Sequence, residues 1–266
     1  MSRILHLSDP HFGAVDARLV EPLLDLAHRL KPDLCVISGD LTQRARQDQF
    51  RAARAFADRL PGKVLSVPGN HDVPLYNLPA RLFAPFVGYR RAFADDLEPR
   101  ALLSDAVVQG VNTTNPIAWK SGFLRPASVR KLTAAFAAAA PGLWRIAVMH
   151  HAPVPAADGT AADITYPGQA LAALARAGTD IVLSGHTHMP HRGIAETAAG
   201  VLFLQVGTAI STRLKTGTND VALVTLGAGQ VTVEGWLSPP GSAGFSPGPA
   251  LTYARSGPVW QKLPDP

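Results

Sequence analysis

RILHLSDPHFG (residues 3–13) joins a short apolar run to a polar loop that ends in glycine, and the same pairing returns in DLCVISGDLT (33–42) and KVLSVPGNHD (63–72). Arg3–Leu7, Asp33–Ser38 and Lys63–Val67 read as strands, each a short apolar run followed directly by turn-forming residues. Between them lie two segments with apolar residues at helical spacing. Leu19–Leu30 places Leu19, Leu23, Leu26 and Leu30 on one side, and Gln47–Leu60 does the same with Phe50, Ala53, Phe56, Ala57 and Leu60. A strand–helix–strand–helix–strand opening predicts a largely parallel sheet and an α/β protein.

Downstream, Pro79–Leu97 is aromatic-rich and reads as helical, and Ala106–Val111 reads as a strand. Pro126–Ala140 fits a helix with proline in its first turn. Arg145–Met149 and Asp180–Ser184 read as strands around a helix at Pro167–Ala177. Val201–Val206, Val221–Leu226 and Gln230–Leu237 then follow one another without helices, which predicts antiparallel pairing. We expect one catalytic domain over 1–237. Ser238–Pro266, rich in proline and glycine, is expected to be an irregular surface tail. No internal repeat is visible.

The chain has 266 residues, 47% hydrophobic and 17% charged, enough to bury a substantial core. Its single cysteine, Cys35, cannot form an internal disulfide. No run reaches the ~18 apolar residues of a membrane span, and the N-terminus lacks a secretory h-region. A soluble cytoplasmic protein, without membrane contact, is the expectation. The net charge is +5, but the 19 Arg and 6 Lys are scattered. Charge therefore names no partner, and nucleic acid is not the expected one. Oligomeric state is not readable, a homodimer being the commonest soluble assembly.

Five polar blocks carry the chemistry: SDPHFG (8–13), SGDLT (38–42), PGNHD (68–72), MHHAP (149–153) and SGHTHMP (184–190). Most follow a predicted strand directly, and in α/β sheets the loops at the carboxyl ends of strands converge into ligand sites. They hold Asp9, His11, Asp40, Asn70, His71, Asp72, His150, His151, His186 and His188, including six of the nine histidines. Imidazole mixed with carboxylate suits Zn, Mn or Fe; an all-oxygen set would suit Mg or Ca. One Asp-x-His pair arises easily by chance, and a lone histidine is usually a satisfied core or surface residue. Five such blocks in order are hard to explain as packing.

The blocks resemble the signature of the calcineurin-like metallophosphoesterase superfamily, D-x-H, G-D-x, G-N-H-[DE], H and G-H-x-H, matched in order over Arg3–Pro190. The resemblance implies a four-layer α/β sandwich, two mixed β-sheets flanked by helices, with two divalent metal ions (Mn, Fe or Zn) at the sheet ends. It implies Asp9, His11, Asp40 and His188 as ligands of one metal, and Asp40, Asn70, His150 and His186 as ligands of the other, Asp40 bridging. It implies attack on phosphorus by a metal-bridging hydroxide. His71 is implied as the non-ligand histidine that stabilises a phosphoryl oxygen or protonates the leaving group. Asp72 is expected either to orient the His71 ring or to cap its loop. His151 is open between a supporting and a substrate-facing position, and Asn112-Thr113 between a turn cap and a substrate contact. His191 is read as a solvated loop residue, and His6 and His28 as structural.

Within the superfamily, LSDPHFG, GDLTQRAR, VPGNHDVP, MHHAP and LSGHTHMP look most like small bacterial phosphodiesterases, the class III cyclic-nucleotide and glycerophosphodiester enzymes. Ala45 and Ala152 depart from the usual glycine and proline of that group; neither is a ligand position. The leading expectation is a phosphodiesterase acting on a small-molecule phosphoester, with cyclic nucleotides first. The alternatives are a phosphomonoesterase or glycerophosphodiesterase, a DNA-processing nuclease, and a non-catalytic scaffold, which the complete ligand set disfavours.

Overall fold

The computed structural model describes residues 1–264. In chain order the elements are β1 (Arg3–Leu7), α1 (Val20–Leu30), β2 (Leu34–Ile37), α2 (Gln47–Ala57), β3 (Lys63–Ser66), α3 (Leu78–Phe83), α4 (Val87–Ala92), β4 (Arg100–Leu102) and β5 (Ala106–Gly110). There follow β6 (Gly122–Phe123), α5 (Pro126–Ala137), β7 (Trp144–Val148), β8 (Ile164–Thr165), α6 (Pro167–Arg176), β9 (Ile181–Ser184), β10 (His191–Ile194), β11 (Leu202–Gln205), β12 (Asn219–Leu226), β13 (Gln230–Ser238), β14 (Ser246–Ser256) and β15 (Val259–Lys262).

Two mixed sheets result, flanked by helices as expected. The first runs β15-β14-β13-β12-β1-β2-β3 and the second β10-β11-β9-β7-β5-β4. β1, β2 and β3 are parallel, while β12 to β15 pair antiparallel, as the helix-free run of strands predicts. Side chains alternate between the faces of each strand, and the burial follows that alternation. Ile4, Val36 and Leu65 face Val108, Ile146 and Leu183 between the sheets. On the far side of the first sheet, Leu5, Cys35 and Ile37 pack on Leu23, Leu26, Phe50 and Phe56 of α1 and α2. On the far side of the second, Val107, Ala147 and Val182 pack on Leu132, Phe136 and Leu174 of α5 and α6. With both faces covered, the central strands are largely apolar, which is why they read as near-continuous runs.

Two expectations are corrected. The helix over Pro79–Leu97 is two short ones, α3 and α4, separated around Pro85; a proline lacks the N–H a helix needs and disfavours helical geometry in the residue before it. The tail is not irregular: β14 and β15 extend the first sheet. Tyr253 and Trp260, each 2% exposed, close the intersheet core, and Trp260 stacks on Trp144 with ring centroids 5.2 Å apart. Pro247 and Pro249 are tolerated because they lie at a register shift in the pairing of β14 with β13, between Ala250 opposite Glu234 and Pro247 opposite Trp236. No helix of the described residues is long and apolar enough to cross a membrane.

Candidate metal centre

All five polar blocks meet beyond the carboxyl ends of the central strands. The backbone there is strained. Of the eight non-glycine residues with positive φ among the described residues, five are Asp9 (51°), His11 (48°), Asp40 (51°), His186 (76°) and His188 (58°). Left-handed geometry costs such residues on the order of 1–3 kcal/mol each and persists where surroundings enforce it. Here it aims each side chain inward off a strand end. Two motif glycines clear the space. A Cβ on Gly69 would overlap Asp40 Oδ1, and one on Gly185 would overlap Ser8 Oγ and Asp9 Oδ2.

Two donor clusters share Asp40. In the first, His188 Nε2 lies 3.1 Å from Asp9 Oδ1 and 3.0 Å from His11 Nε2, which is 3.7 Å from Asp40 Oδ2. In the second, His150 Nε2 lies 3.3 Å from Asp40 Oδ1, 3.2 Å from Asn70 Oδ1 and 3.3 Å from His186 Nδ1. The outer ring nitrogens explain why bare lone pairs point inward. His188 Nδ1 is 2.7 Å from the Arg213 carbonyl, His150 Nδ1 is 2.8 Å from the Ser38 carbonyl, and His186 Nε2 is 2.9 Å from Asp163 Oδ2. Each outer nitrogen must donate to its acceptor, so the other ring nitrogen carries no proton in the neutral ring. Asp9 is set the same way: Oδ2 accepts from Ser8 Oγ (2.6 Å) and His186 N (2.9 Å), leaving Oδ1 to the cluster.

The electrostatics call for a cation. Asp9 and Asp40 are 0% and 2% exposed, and among the described residues their ion-pair partners are histidines only. Burial would raise both carboxyls, but His188 and His150 hold Asp9, and His150 and His71 hold Asp40, well below the usual carboxylate range. Burial in turn opposes charge on His150, yet Asp40 and Asp9 overcome it and raise the ring to about 9. Two buried carboxylates answered only by imidazole, with ring nitrogens converging on them, are a donor set that fits divalent cations. Asp9–His11–His188 and Asp9–Asp40–His150 are each compact enough to hold one ion.

His71 lines the cleft and Asp72 is buried behind it, and the two do not act as a pair. The expectation that Asp72 orients the His71 ring is corrected. Asp72 Oδ2 accepts from Gly69 N (2.9 Å) and Leu41 N (3.1 Å), and Oδ1 from Thr42 N (2.8 Å) and Thr42 Oγ1 (3.0 Å). A buried carboxylate surrounded by amide donors serves those donors, so Asp72 ties the 38–42 loop to the 69–72 loop. Burial and Asp40 nonetheless push it up to about 7. The His71 ring is oriented instead by the Gln43 carbonyl, 2.9 Å from Nδ1, so Nε2 faces the cleft.

His151 is buried with both nitrogens engaged, Nδ1 at 2.9 Å from Thr113 Oγ1 and Nε2 at 2.9 Å from the Lys120 carbonyl. Asn112 is a turn cap, Oδ1 accepting from Thr114 N at 3.0 Å. His28 is exposed, beside the Arg59 carbonyl at 3.1 Å, and His6 is buried, 2.9 Å from Ser38 Oγ. The cleft itself is a cavity of about 400 Å³ reaching Asp40, Asn70, His71, His186, Lys120 and Arg213. A larger one, about 580 Å³, lies at the opposite strand ends beside Arg145 and Arg255, where no such donors converge.

Sequence reasoning missed Asp163, Lys120 and Arg213. Lys120 Nζ lies 2.6 Å from Asp163 Oδ2, making a chain from Lys120 through Asp163 to His186. No motif marks Asp163. Arg213 did carry a signal, since it lies in the loop after a strand, like the five blocks.

Three comparisons bear on this arrangement. The calcineurin-like phosphoesterase family model matches residues 2–190. The chain is 31% identical over 174 residues to the glycerophosphodiester phosphodiesterase GpdQ of Enterobacter lignolyticus, an alignment covering 57% of each. It is 30% identical over 204 residues to the cAMP/cGMP dual specificity phosphodiesterase MT0825 of Mycobacterium tuberculosis, covering 70% of this chain and 61% of that protein. The chain thus spans 57% and 61% of the length of these relatives. Among solved structures, purple acid phosphatase PPD1 from yellow lupin (Lupinus luteus) shares the fold, with a TM-score of 0.72 at 13% identity over 96% of this chain and 54% of that one. With every polar block inside the matched residues and their side chains gathered at one cleft, the chain belongs to the calcineurin-like phosphoesterase family.

Proposed function

We propose that this protein is a dinuclear-metal phosphodiesterase acting on a small-molecule phosphoester. The observation that carries the reading is the division of Asp40, whose two oxygens face two different donor clusters, Oδ2 toward His11 and Oδ1 toward His150. One carboxylate can serve two cations at once. Asp9, His11, Asp40 and His188 would hold one ion, and Asp40, Asn70, His150 and His186 the other. When bound, two divalent cations of Mn, Fe or Zn type supply the charge that acidifies water and offsets negative charge developing on oxygen. Asn70 contributes a neutral oxygen, so the two carboxylates leave the site cationic and attractive to a phosphate.

The chain's own residues do the rest. His71 presents Nε2 to the cleft because Gln43 holds Nδ1; protonated, it donates to a phosphoryl oxygen or to the leaving oxygen. His150, His186 and His188 are kept in one tautomer by Ser38, Asp163 and Arg213. Asp72 keeps the Asp40 and Asn70 loops in register.

The diester preference rests on the two relatives, both named phosphodiesterases. Cyclic nucleotides are the leading substrate and glycerophosphodiesters the second. The test is to load the purified protein with Mn²⁺ and compare bis-p-nitrophenyl phosphate with p-nitrophenyl phosphate, measuring metal content on the same sample. A strong preference for the monoester overturns the reading. Cyclic AMP against glycerophosphodiesters then decides the subclass.

A further inference from the structure

Several arginines of this chain have structural partners. Arg192 pairs with Asp220 at 3.2 Å, Arg59 with Glu21, and Arg255 with Asp180. Arg81 is buried and donates to the carbonyls of Pro116 (2.7 Å), Pro74 (3.0 Å) and Ala118 (2.7 Å), which is a loop-holding role. Arg213 has neither kind of partner and lies at the cleft. Its side chain is exposed at the cleft, and among the described residues no carboxylate pairs with it. Instead Nη1 lies 3.1 Å from His71 Nε2, 3.2 Å from His11 Nε2 and 3.5 Å from Gln43 Oε1.

Its backbone, by contrast, is fixed. Arg213 N donates to Ser211 Oγ at 2.9 Å, and its carbonyl holds His188 Nδ1 at 2.7 Å. Asn219 Nδ2 donates to the carbonyls of Thr208 (3.2 Å) and Ser211 (3.0 Å), pinning the loop to β12. A fixed backbone thus carries an exposed guanidinium to the cleft mouth. The neighbouring Lys120 is already answered by Asp163 at 2.6 Å; the charge on Arg213 is not. His11 Nε2 has one lone pair, and a cation at the proposed centre takes it. The Arg213 donors then face His71, Gln43 and whatever enters. A planar guanidinium offers paired N–H donors that match two oxygens of a phosphate.

We propose that Arg213 is a phosphoryl-binding residue, donating to non-bridging oxygens of the substrate phosphate beside His71. The inference rests on the phosphoesterase reading of the cleft but not on diester preference. The test compares wild type, Arg213→Gln and Arg213→Lys, all Mn²⁺-loaded. Inorganic phosphate affinity is read by calorimetry, alongside KM and kcat for bis-p-nitrophenyl phosphate, metal content and Tm. Losing a charge-assisted pair should weaken phosphate binding and raise KM by about 10- to 100-fold in Arg213→Gln. Arg213→Lys should recover part of the loss, and metal content and Tm should match wild type. Phosphate affinity and KM both within about twofold of wild type would overturn the inference, as would a loss that tracks loss of metal. If wild type binds phosphate through Arg213 yet spares the diester, this inference stands and the phosphodiesterase reading fails. If wild type cleaves the diester and Arg213→Gln behaves identically, only this inference fails.

Discussion

Replacing Asp72 by asparagine separates a loop-tying carboxylate from a ring-orienting one. The carboxylate accepts four hydrogen bonds, from Gly69 N and Leu41 N on Oδ2 and from Thr42 N and Thr42 Oγ1 on Oδ1. An asparagine of the same shape can satisfy one of these pairs with its oxygen. Its NH₂ then meets the other pair donor to donor. The Thr42 hydroxyl has an alternative acceptor in the His71 carbonyl at 3.1 Å, so the amide oxygen settles toward Gly69 and Leu41 and the Thr42 amide is orphaned. The lost ionic acceptor and one or two unmet buried bonds cost about 2–4 kcal/mol. For a domain of this size that lowers Tm by roughly 5–15 °C. Thermal unfolding followed by circular dichroism at about pH 8, above the value near 7 to which burial and Asp40 raise this carboxyl, is the assay. Thr42→Val removes only the hydroxyl bonds and should cost about 1 kcal/mol. An Asp72→Asn protein with wild-type Tm, but with a shifted pH profile of kcat, would refute the loop-tying role and restore the ring to Asp72.

Removing the carboxylate behind His186, in Asp163→Ala, should lower the affinity of one metal about 10- to 100-fold, read as one retained ion after dialysis by elemental analysis; two retained ions at wild-type affinity would count against it. Trp260→Ala opens a cavity where the last strand seals the intersheet core and should cost about 3–5 kcal/mol in urea unfolding; a change below about 1 kcal/mol would mean that β15 contributes little. His6 is a buried ring whose pKa is lowered to about 3, by burial first and Arg192 second, with Nδ1 unpartnered. The unfolded chain takes up that proton below about pH 6.5 while the native state resists until about 3, so the unfolded state binds more protons across the window. Stability is therefore full above about 6.5 and falls toward pH 3, by at most about 1.4 kcal/mol per pH unit from this ring. His6→Gln should flatten the urea-unfolding slope between about pH 4 and 6.5 relative to wild type, and parallel slopes would argue against it.

The sequence by itself determined the parts whose cause is local. Apolar runs such as Leu34–Ile37 become buried strands because the second sheet covers one face of the first sheet and helices cover the other. The five polar blocks lie where strands end, and their aspartates and histidines are the donors that converge. Gly69 and Gly185 stand where a side chain would collide with those donors. Where proline marks an interruption, the local rule worked for Pro85 only once the two helices were in view, and it misled for the tail. Pro247 and Pro249 are compatible with β14 because they lie at a register shift in its ladder with β13, and pairing is a property of the assembled sheet. Only the tertiary structure assigned partners. Asp163 reaches His186, Gln43 rather than Asp72 holds His71, and Arg213 enters the cleft, because the order of strands in two sheets decides which loops lie side by side. Spacing along a chain reports the direction in which a side chain leaves its strand; it carries no record of the distant carbonyl or carboxylate that side chain will meet.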